Sequence, residues 1–181
     1  MSSGDELVEW VDEDGSVIEI VTRARMRDEH LRHRCVYIVV RSTDAAERDA
    51  SVLIHKRADW KDVAPGEWDV AFGGVCDPGE SWEEAAHREL LEEAGITVDE
   101  MVDHGEVRYE APGVALIGRF YSCHSDGPFA FNDGEVVAAE WIALDDLSQV
   151  LAERIVVEDS HSVVLPRVIT WADGGSLDEH Q

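Results

Sequence analysis

The side chains best placed to do chemistry are Glu89, Glu92 and Glu93, with Glu80 and Arg88 upstream, in the run GVCDPGESWEEAAHRELLEEAGI at residues 74–96. Ser81 followed by Glu84 is a capping-box pattern and Gly95 a natural stop, so the spacing predicts a helix over 81–94. At 100° per residue its apolar arc holds Trp82, Ala85, Ala86, Leu90 and Ala94; Glu89 and Glu93 fall inside that arc, about 40° apart, with Glu92 on its flank. An ordinary amphipathic helix points its carboxylates at water, as this one does with Glu83 and Glu84. Two carboxylates among alanines and a tryptophan repel each other and lose hydration unless a cation answers them. Arg88, four residues before Glu92, pairs on one side but cannot neutralise three glutamates. Clustered carboxylate oxygens on a rigid helix suit a hard divalent ion, Mg²⁺ with Mn²⁺ as the alternative, whose other ligands are water and substrate phosphate. A solvated acidic helix is the plainer reading, but it leaves the shared apolar side unexplained.

The pattern is Gly74, five residues, Glu80, seven residues, Arg88-Glu89-Leu90, one residue, Glu92-Glu93, one residue, Gly95-Ile96. At every specified position it resembles the signature of the Nudix hydrolases. The resemblance implies that Glu89, Glu92 and Glu93 are metal ligands and that the Gly74 turn adds backbone groups to the metal site. It also implies that Arg88 orients the ligand glutamates and that Glu80 supports them. In that family the metal binds a diphosphate and activates a water, and the reaction cleaves a nucleoside diphosphate linked to another group. Several members place a further glutamate in a loop near the metal. Glu135, after the turn Asn132-Asp133-Gly134, is the candidate here, as ligand or catalytic base, ahead of Glu140 and Asp133. The catalytic set so implied is Glu89, Glu93, Arg88 and Glu135.

The elements that must position this helix are mainly strands. Residues 7–11 and 16–23 read as a hairpin around Asp12-Glu13-Asp14-Gly15, followed by a short polar helix over 25–31. Strands are expected at 35–41, 52–56, 68–72, 105–109, 114–124 and 136–143, with a loop at 44–50. A helix over 145–154 would be capped by Asp145, and a last helix over 162–172 contains Pro166. Strands on both sides of one central helix, with further helices late, predict an α/β (α+β) chain. Its mixed sheet is sandwiched between helices, as the resemblance also implies. The expected organisation is one domain over residues 1–181, with 1–30 as an N-terminal β-hairpin extension.

The net charge of −25 repels nucleic acid and anionic membranes, so an anionic substrate needs local basic groups and metal. The partner expected is a small nucleotide or diphosphate compound. Cys35, Cys76 and Cys123 are odd in number and lack CxxC spacing, no apolar run approaches 18 residues, and MSSGDELVEW does not read as a signal peptide. A cytoplasmic location follows from these as an expectation; a homodimer is common among the relatives that the resemblance suggests. The densest basic stretch, Arg23, Arg25, Arg27, Arg32 and Arg34, reads first as charge balance against an acidic surface. Arg57 and Lys61, just before the Pro65-Gly66 loop that feeds the catalytic turn, are the candidate substrate-binding residues. Trp60, Trp68, Trp82 and Trp141 are expected mostly to pack, although any could stack a base.

Between residue 31 and about 147 the chain resembles the isomerase-like branch of the superfamily, on LRHRCVYIVV, on the spacing of Arg57, Lys61 and Pro65-Gly66, and on FYSCHSDGPFAF. Isopentenyl diphosphate isomerases of that branch carry a catalytic cysteine and a metal-binding histidine in the turn before the helix. Here Gly73 and Val75 stand in those places and Cys76 is out of register, which favours hydrolysis. An isopentenyl diphosphate isomerase-like activity and a catalytically inactive nucleotide-binding module are the two alternatives.

Overall fold

Residues 33–41 alternate two apolar sets, and each set faces a different layer. A computed structural model describes residues 3–43 and 51–172; the loop expected at 44–50 lies outside them. The strands are β1 (Leu7–Val11), β2 (Val17–Thr22), β3 (His33–Arg41), β4 (Ser51–Arg57), β5 (Trp68–Asp69), β6 (Val102–Ala111), β7 (Val114–His124) and β8 (Val136–Ala143). The helices are α1 (Arg23–Asp28), α2 (Trp82–Ala94), α3 (Leu144–Ala152) and α4 (Leu165–Ala172), the last preceded by a π-helical turn, Ser160–Val164. Six strands form one mixed sheet in the order β5-β4-β3-β7-β6, with β8 on β4; β3 and β7 are parallel, and the other pairs are antiparallel.

Cys35, Tyr37 and Val39 pack on one side of the sheet with Leu147 and Leu151 of α3 and Val168 of α4. Val36, Ile38 and Val40 pack on the other with Ala85, Ala86, Leu90 and Ala94 of α2. Period-two alternation in the central strand thus builds both layers of the expected sandwich.

β3 and β4 share a single paired position, Arg41 with Val52, and then diverge. The segment that leads to α2 lies in the gap. Ile38 N–H donates to Phe72 O at 2.7 Å, Phe72 N–H returns a bond to Ile38 O at 2.9 Å, Val36 N–H donates to Gly74 O at 3.0 Å and Cys76 N–H to Arg34 O at 3.0 Å. The turn before α2 is therefore fastened to the central strand by backbone bonds. α2 starts on the reciprocal box: Ser81 Oγ accepts Glu84 N–H at 3.2 Å while the Glu84 carboxylate accepts Ser81 N–H at 2.9 Å. It ends at Gly95, whose left-handed φ of 68° suits glycine.

β1 and β2 form a separate antiparallel pair. Asp12 Oδ1 accepts the N–H groups of Asp14 and Ser16, each at 2.9 Å, and closes the turn. The segment expected as a strand over 105–109 extends to Val102–Ala111, because β7 offers it a partner along its whole length and an irregularity between Asp103 and Glu106 accommodates Gly105. Asp145 does not cap α3. The N-cap is Ala143 without a side-chain bond, and Asp145 and Asp146 sit in the first turn, where they favour the helix dipole. Pro166 follows directly on the π-helical turn inside a continuous helical run over 158–172, so the helix expected around it forms with its hydrogen-bond pattern widened just before the proline.

Candidate active site

Gly73 has φ of 151°, and a Cβ there would stand 1.9 Å from Val36 O, so the close approach of this turn to β3 requires glycine. A Cβ on Gly74 would stand 2.5 Å from Glu89 Oε1, so its hydrogen leaves the room that the Glu89 carboxylate fills. One turn later, Glu93 Oε2 accepts the Gly73 N–H at 3.2 Å. The two glutamates on the inward face of α2 are thus held against the two glycines. Glu89 is 9% and Glu93 5% exposed. Burial and the neighbouring Glu89 charge push the Glu93 carboxyl up to about 8, against the pull of Lys61. Burial also raises Glu89, against Arg88.

Arg88 is the hub of the outer side. Its Nε and Nη2 donate to the two Glu80 oxygens at 2.9 Å each, and its Nη1 donates to Glu89 Oε1 at 2.7 Å and Glu92 Oε2 at 3.2 Å. Burial works upward on Glu80, but the Arg88 bonds hold its carboxyl below the usual range. Glu92 itself is more than half exposed. On the inner side Lys61 Nζ lies 3.7 Å from Glu93 Oε1 and pairs directly with Glu135. The loop glutamate and the helix glutamate therefore meet on one ammonium. Arg57 donates from Nε to Val63 O at 3.3 Å, and its Nη1 stands 3.9 Å from Asp69 Oδ2.

Glu89, Glu92, Glu93, Gly74, Arg88, Arg57, Lys61 and Glu135 all line one cleft of about 990 Å³, and Asp133 lines it too. Glu140 does not: it is on β8 and pairs with Arg154 at 2.8 Å. The basic stretch mostly balances charge, in pairs Arg23–Glu6, Arg25–Glu19, Arg27–Asp62, Arg32–Glu110 and Arg34–Glu9, although Arg23 and Arg27 also border the cleft. Trp68, Trp82 and Trp141 pack against the core, whereas Trp60 is 63% exposed on the cleft rim. His55 is buried, its ring stacked on Phe72 at 4.3 Å.

Sequence reasoning missed a second acidic group in the same cleft. Asp159 Oδ2 accepts the Tyr37 hydroxyl at 2.6 Å and its Oδ1 accepts the Ser160 N–H at 2.9 Å, while Asp69 Oδ1 accepts the Ala71 N–H at 3.1 Å. Burial raises both carboxyls, and Asp69 adds to the shift of Asp159. It missed Glu9 as well, a buried carboxylate in the apolar run LVEWV. A carboxylate inside an apolar run was the available signal, the same one that singled out Glu89.

Among the described residues no three Asp, Glu, His or Cys groups already stand together as a metal-ligand set. Arg88 and Lys61 answer the carboxylates in this conformation. The donor chemistry nonetheless fits a hard dication. All the donors are oxygens, two are buried and mutually repelling, and the glycine at 74 leaves one of them room. Among the described residues no helix is long and apolar enough to cross a membrane.

The model of the NUDIX domain family matches residues 31–165. A Yersinia pestis protein named as an uncharacterized Nudix hydrolase is 35% identical over 145 residues, which covers 78% of this chain and 77% of that protein. In fold the chain is similar to the crystal structure of DR0079 from Deinococcus radiodurans, with a TM-score of 0.72 at 24% identity over 90% of this chain and 97% of that one. It is also similar to the NUDIX domain of Shewanella oneidensis NrtR, solved with ADP ribose, with a TM-score of 0.60 at 19% identity over 85% and 98%. On the signature, the sandwich and these matches, the chain belongs to the Nudix family and is a hydrolase of phosphoric anhydride bonds.

Proposed function

We propose that this chain is a Mg²⁺-dependent pyrophosphohydrolase that cleaves a nucleoside diphosphate linked to another group. The observation that carries the reading is the buried pair Glu89 and Glu93, held against the Gly73-Gly74 turn and facing the cleft. Glu89, Glu92 and Glu93 would hold the ion, with Mn²⁺ able to substitute, and the Gly74 turn would lend backbone groups beside them. When bound, the ion supplies a Lewis acid that draws charge from the diphosphate and lowers the pKa of a coordinated water.

The chain's own residues do the rest. Glu89 or Glu135 accepts the proton of the attacking water. Arg88, fixed by Glu80, keeps Glu89 and Glu92 from rotating away. Lys61 and Arg57 project into the cleft, and once Lys61 leaves Glu93 and Glu135 it has a substrate phosphate to pair with. Trp60 on the rim has an open face for a base. The chain is read as one domain over residues 1–181, with the β1–β2 hairpin and α1 as its N-terminal extension. Net charge −25 supports a small-molecule substrate in place of nucleic acid, and a cytoplasmic setting is part of the same reading.

Gly73 disfavours the isomerase alternative, since a cysteine side chain at that position would begin 1.9 Å from a backbone oxygen. The test is phosphate or nucleotide release, with and without Mg²⁺, from nucleoside di- and triphosphates, nucleotide sugars, dinucleotides and coenzyme A. ADP ribose goes first, because it is the kind of molecule the NrtR domain holds. No Mg²⁺-dependent release from any of them, with nucleotide binding retained, would leave a binding module; allylic product from isopentenyl diphosphate would restore the isomerase.

A further inference from the structure

We infer that Glu9, on the N-terminal hairpin, is a positioning residue for the catalytic helix and sets the affinity of its glutamates for a divalent ion; this rests on the reading of those glutamates as metal ligands. The two oxygens of Glu9 go to different parts of the turn that starts α2. Oε1 accepts the Gly79 N–H at 2.8 Å, and Oε2 accepts from Arg34 Nη1 at 3.0 Å. The same Arg34 nitrogen donates to Glu80 O at 3.0 Å, and its guanidinium lies 4.1 Å over the ring of Trp82, the first residue of α2. Glu9 and Arg34 therefore hold the backbone of Gly79 and Glu80 and the ring that follows.

Beyond that clamp the contacts run without a break into the site. Glu80 takes Nε and Nη2 of Arg88, and Arg88 Nη1 reaches Glu89 and Glu92. Each link is charge-assisted: both partners are ionised in the side-chain pairs, and one is ionised in the Gly79 and Glu80 backbone contacts. Glu9 and Arg34 are both largely buried, with side chains 7% and 14% exposed. Truncating Glu9 therefore leaves the Arg34 guanidinium without its carboxylate, held by Glu80 O and the Trp82 ring, and leaves the Gly79 N–H unpaired under the turn. The relief open to the chain is a shift of residues 77–80, and that shift moves the Glu80 carboxylate on which Arg88 is seated. Arg88 orients the ligand glutamates at one remove, a place where a change typically moves metal affinity by about 10- to 100-fold. Glu9 acts on it through Arg34 and Glu80, so the lower end of that range is the ceiling for its loss. The hairpin lies outside the matched family region, which begins at residue 31. Through Glu9 it nonetheless bears on the catalytic helix.

The experiment compares full-length wild type, Glu9→Ala, Glu9→Gln and Val21→Ala. Val21 is in the hairpin core with Val8 and Met26, so its truncation loosens the hairpin while leaving Glu9 in place. Two readouts are taken: hydrogen exchange of the Arg88 Nε–H by nitrogen-15 NMR without metal, and Mn²⁺ binding by electron paramagnetic resonance. In Glu9→Ala the Arg88 proton is expected to exchange faster and Mn²⁺ to bind more weakly, by up to about tenfold. Glu9→Gln, whose amide oxygen still accepts from Gly79, should fall between it and wild type. Val21→Ala should lower the melting temperature and move neither readout. Unchanged Arg88 exchange in Glu9→Ala overturns the proposal, and so does Val21→Ala shifting both readouts as far as Glu9→Ala does. Wild-type Mn²⁺ binding that Glu93→Gln leaves intact would instead overturn the metal reading of α2, while the Arg88 signal would still decide what Glu9 does.

Discussion

One cleft holds two groups of buried carboxylates, and they are satisfied in different ways. Asp69 and Asp159 accept mainly from fixed, neutral donors, the N–H groups of Ala71 and Ser160 and the Tyr37 hydroxyl, with the Arg57 cation 3.9 Å from Asp69 beside them. Glu89 and Glu93 are met mainly by the ends of long cationic side chains, Arg88 and Lys61, with a single backbone bond from Gly73. Burial raises the carboxyls of both groups. Asp69 keeps its fixed donors whether or not Arg57 stays near, whereas Glu89 and Glu93 depend mainly on cations that can rotate away, so it is there that another cation can enter at modest cost. We propose that the first group is architecture and the second exchangeable with a metal ion.

The contrast breaks if the two groups respond alike to substitution. Glu93→Gln keeps the size of the side chain and removes the charge. It should lower Mg²⁺-dependent turnover by at least about 100-fold, the upper end for residues one step removed from a metal, while circular dichroism stays that of wild type. Wild-type-like turnover would end the role of Glu93. Lys61→Ala makes a finer cut. With the competing ammonium gone, Mn²⁺ should bind as tightly as in wild type or more tightly, yet KM should rise about 10-fold or more because a phosphate partner is lost. Weaker Mn²⁺ binding in that variant would mean that Lys61 organises the carboxylates and does not trade places with the ion.

How far the sequence discloses this contrast depends on range. The helix, its two caps and the inward glutamates follow from spacing within residues 73–96, because a 3.6-residue period and a capping box are local. The pairing of Lys61 with Glu93 and Glu135 spans three separate segments, and their meeting depends on β3 and β4 diverging to admit the catalytic turn. No local pattern encodes that divergence. Asp69 and Asp159 escaped for a related reason. Asp69 reads as an ordinary polar residue of a short strand, and Asp159 becomes buried only when the π-helical turn folds back beside Tyr37, 122 residues away in sequence. Asp145 sits in the first turn of α3 and not at its cap, because Asp at a helix start satisfies either place and composition does not separate the two.

The acidic group built on neutral donors should yield smaller and different losses. Tyr37→Phe removes a 2.6 Å bond from a carboxylate beside a second carboxylate, so it should cost about 1–3 kcal/mol of stability in urea unfolding. Mn²⁺ affinity should stay at its wild-type value. A loss of metal affinity there would join the two groups into one network and remove the distinction.

His55 sharpens the comparison from the other direction, because one cation from each group acts on it, Lys61 of the exchangeable group and Arg57 beside Asp69. Burial first, then the charges of Arg57 and Lys61, depress its ring from 6.5 to about 3. Between those values the unfolded chain takes up a proton that the folded chain refuses. The contribution to stability is therefore complete above pH 6.5 and is lost as pH falls toward about 3, by about 1.4 kcal/mol per pH unit. His55→Phe should flatten that part of the acid limb in urea titrations. Carbon-13 NMR of the wild-type ring should show it neutral at pH values where an exposed histidine is charged. In Lys61→Ala the ring should titrate slightly higher, since one repelling charge has gone while burial on Phe72 is unchanged. A full return to the ordinary histidine range in that variant would make the cations, and not burial, the main cause, and would extend the exchangeable group through the sheet as far as β4.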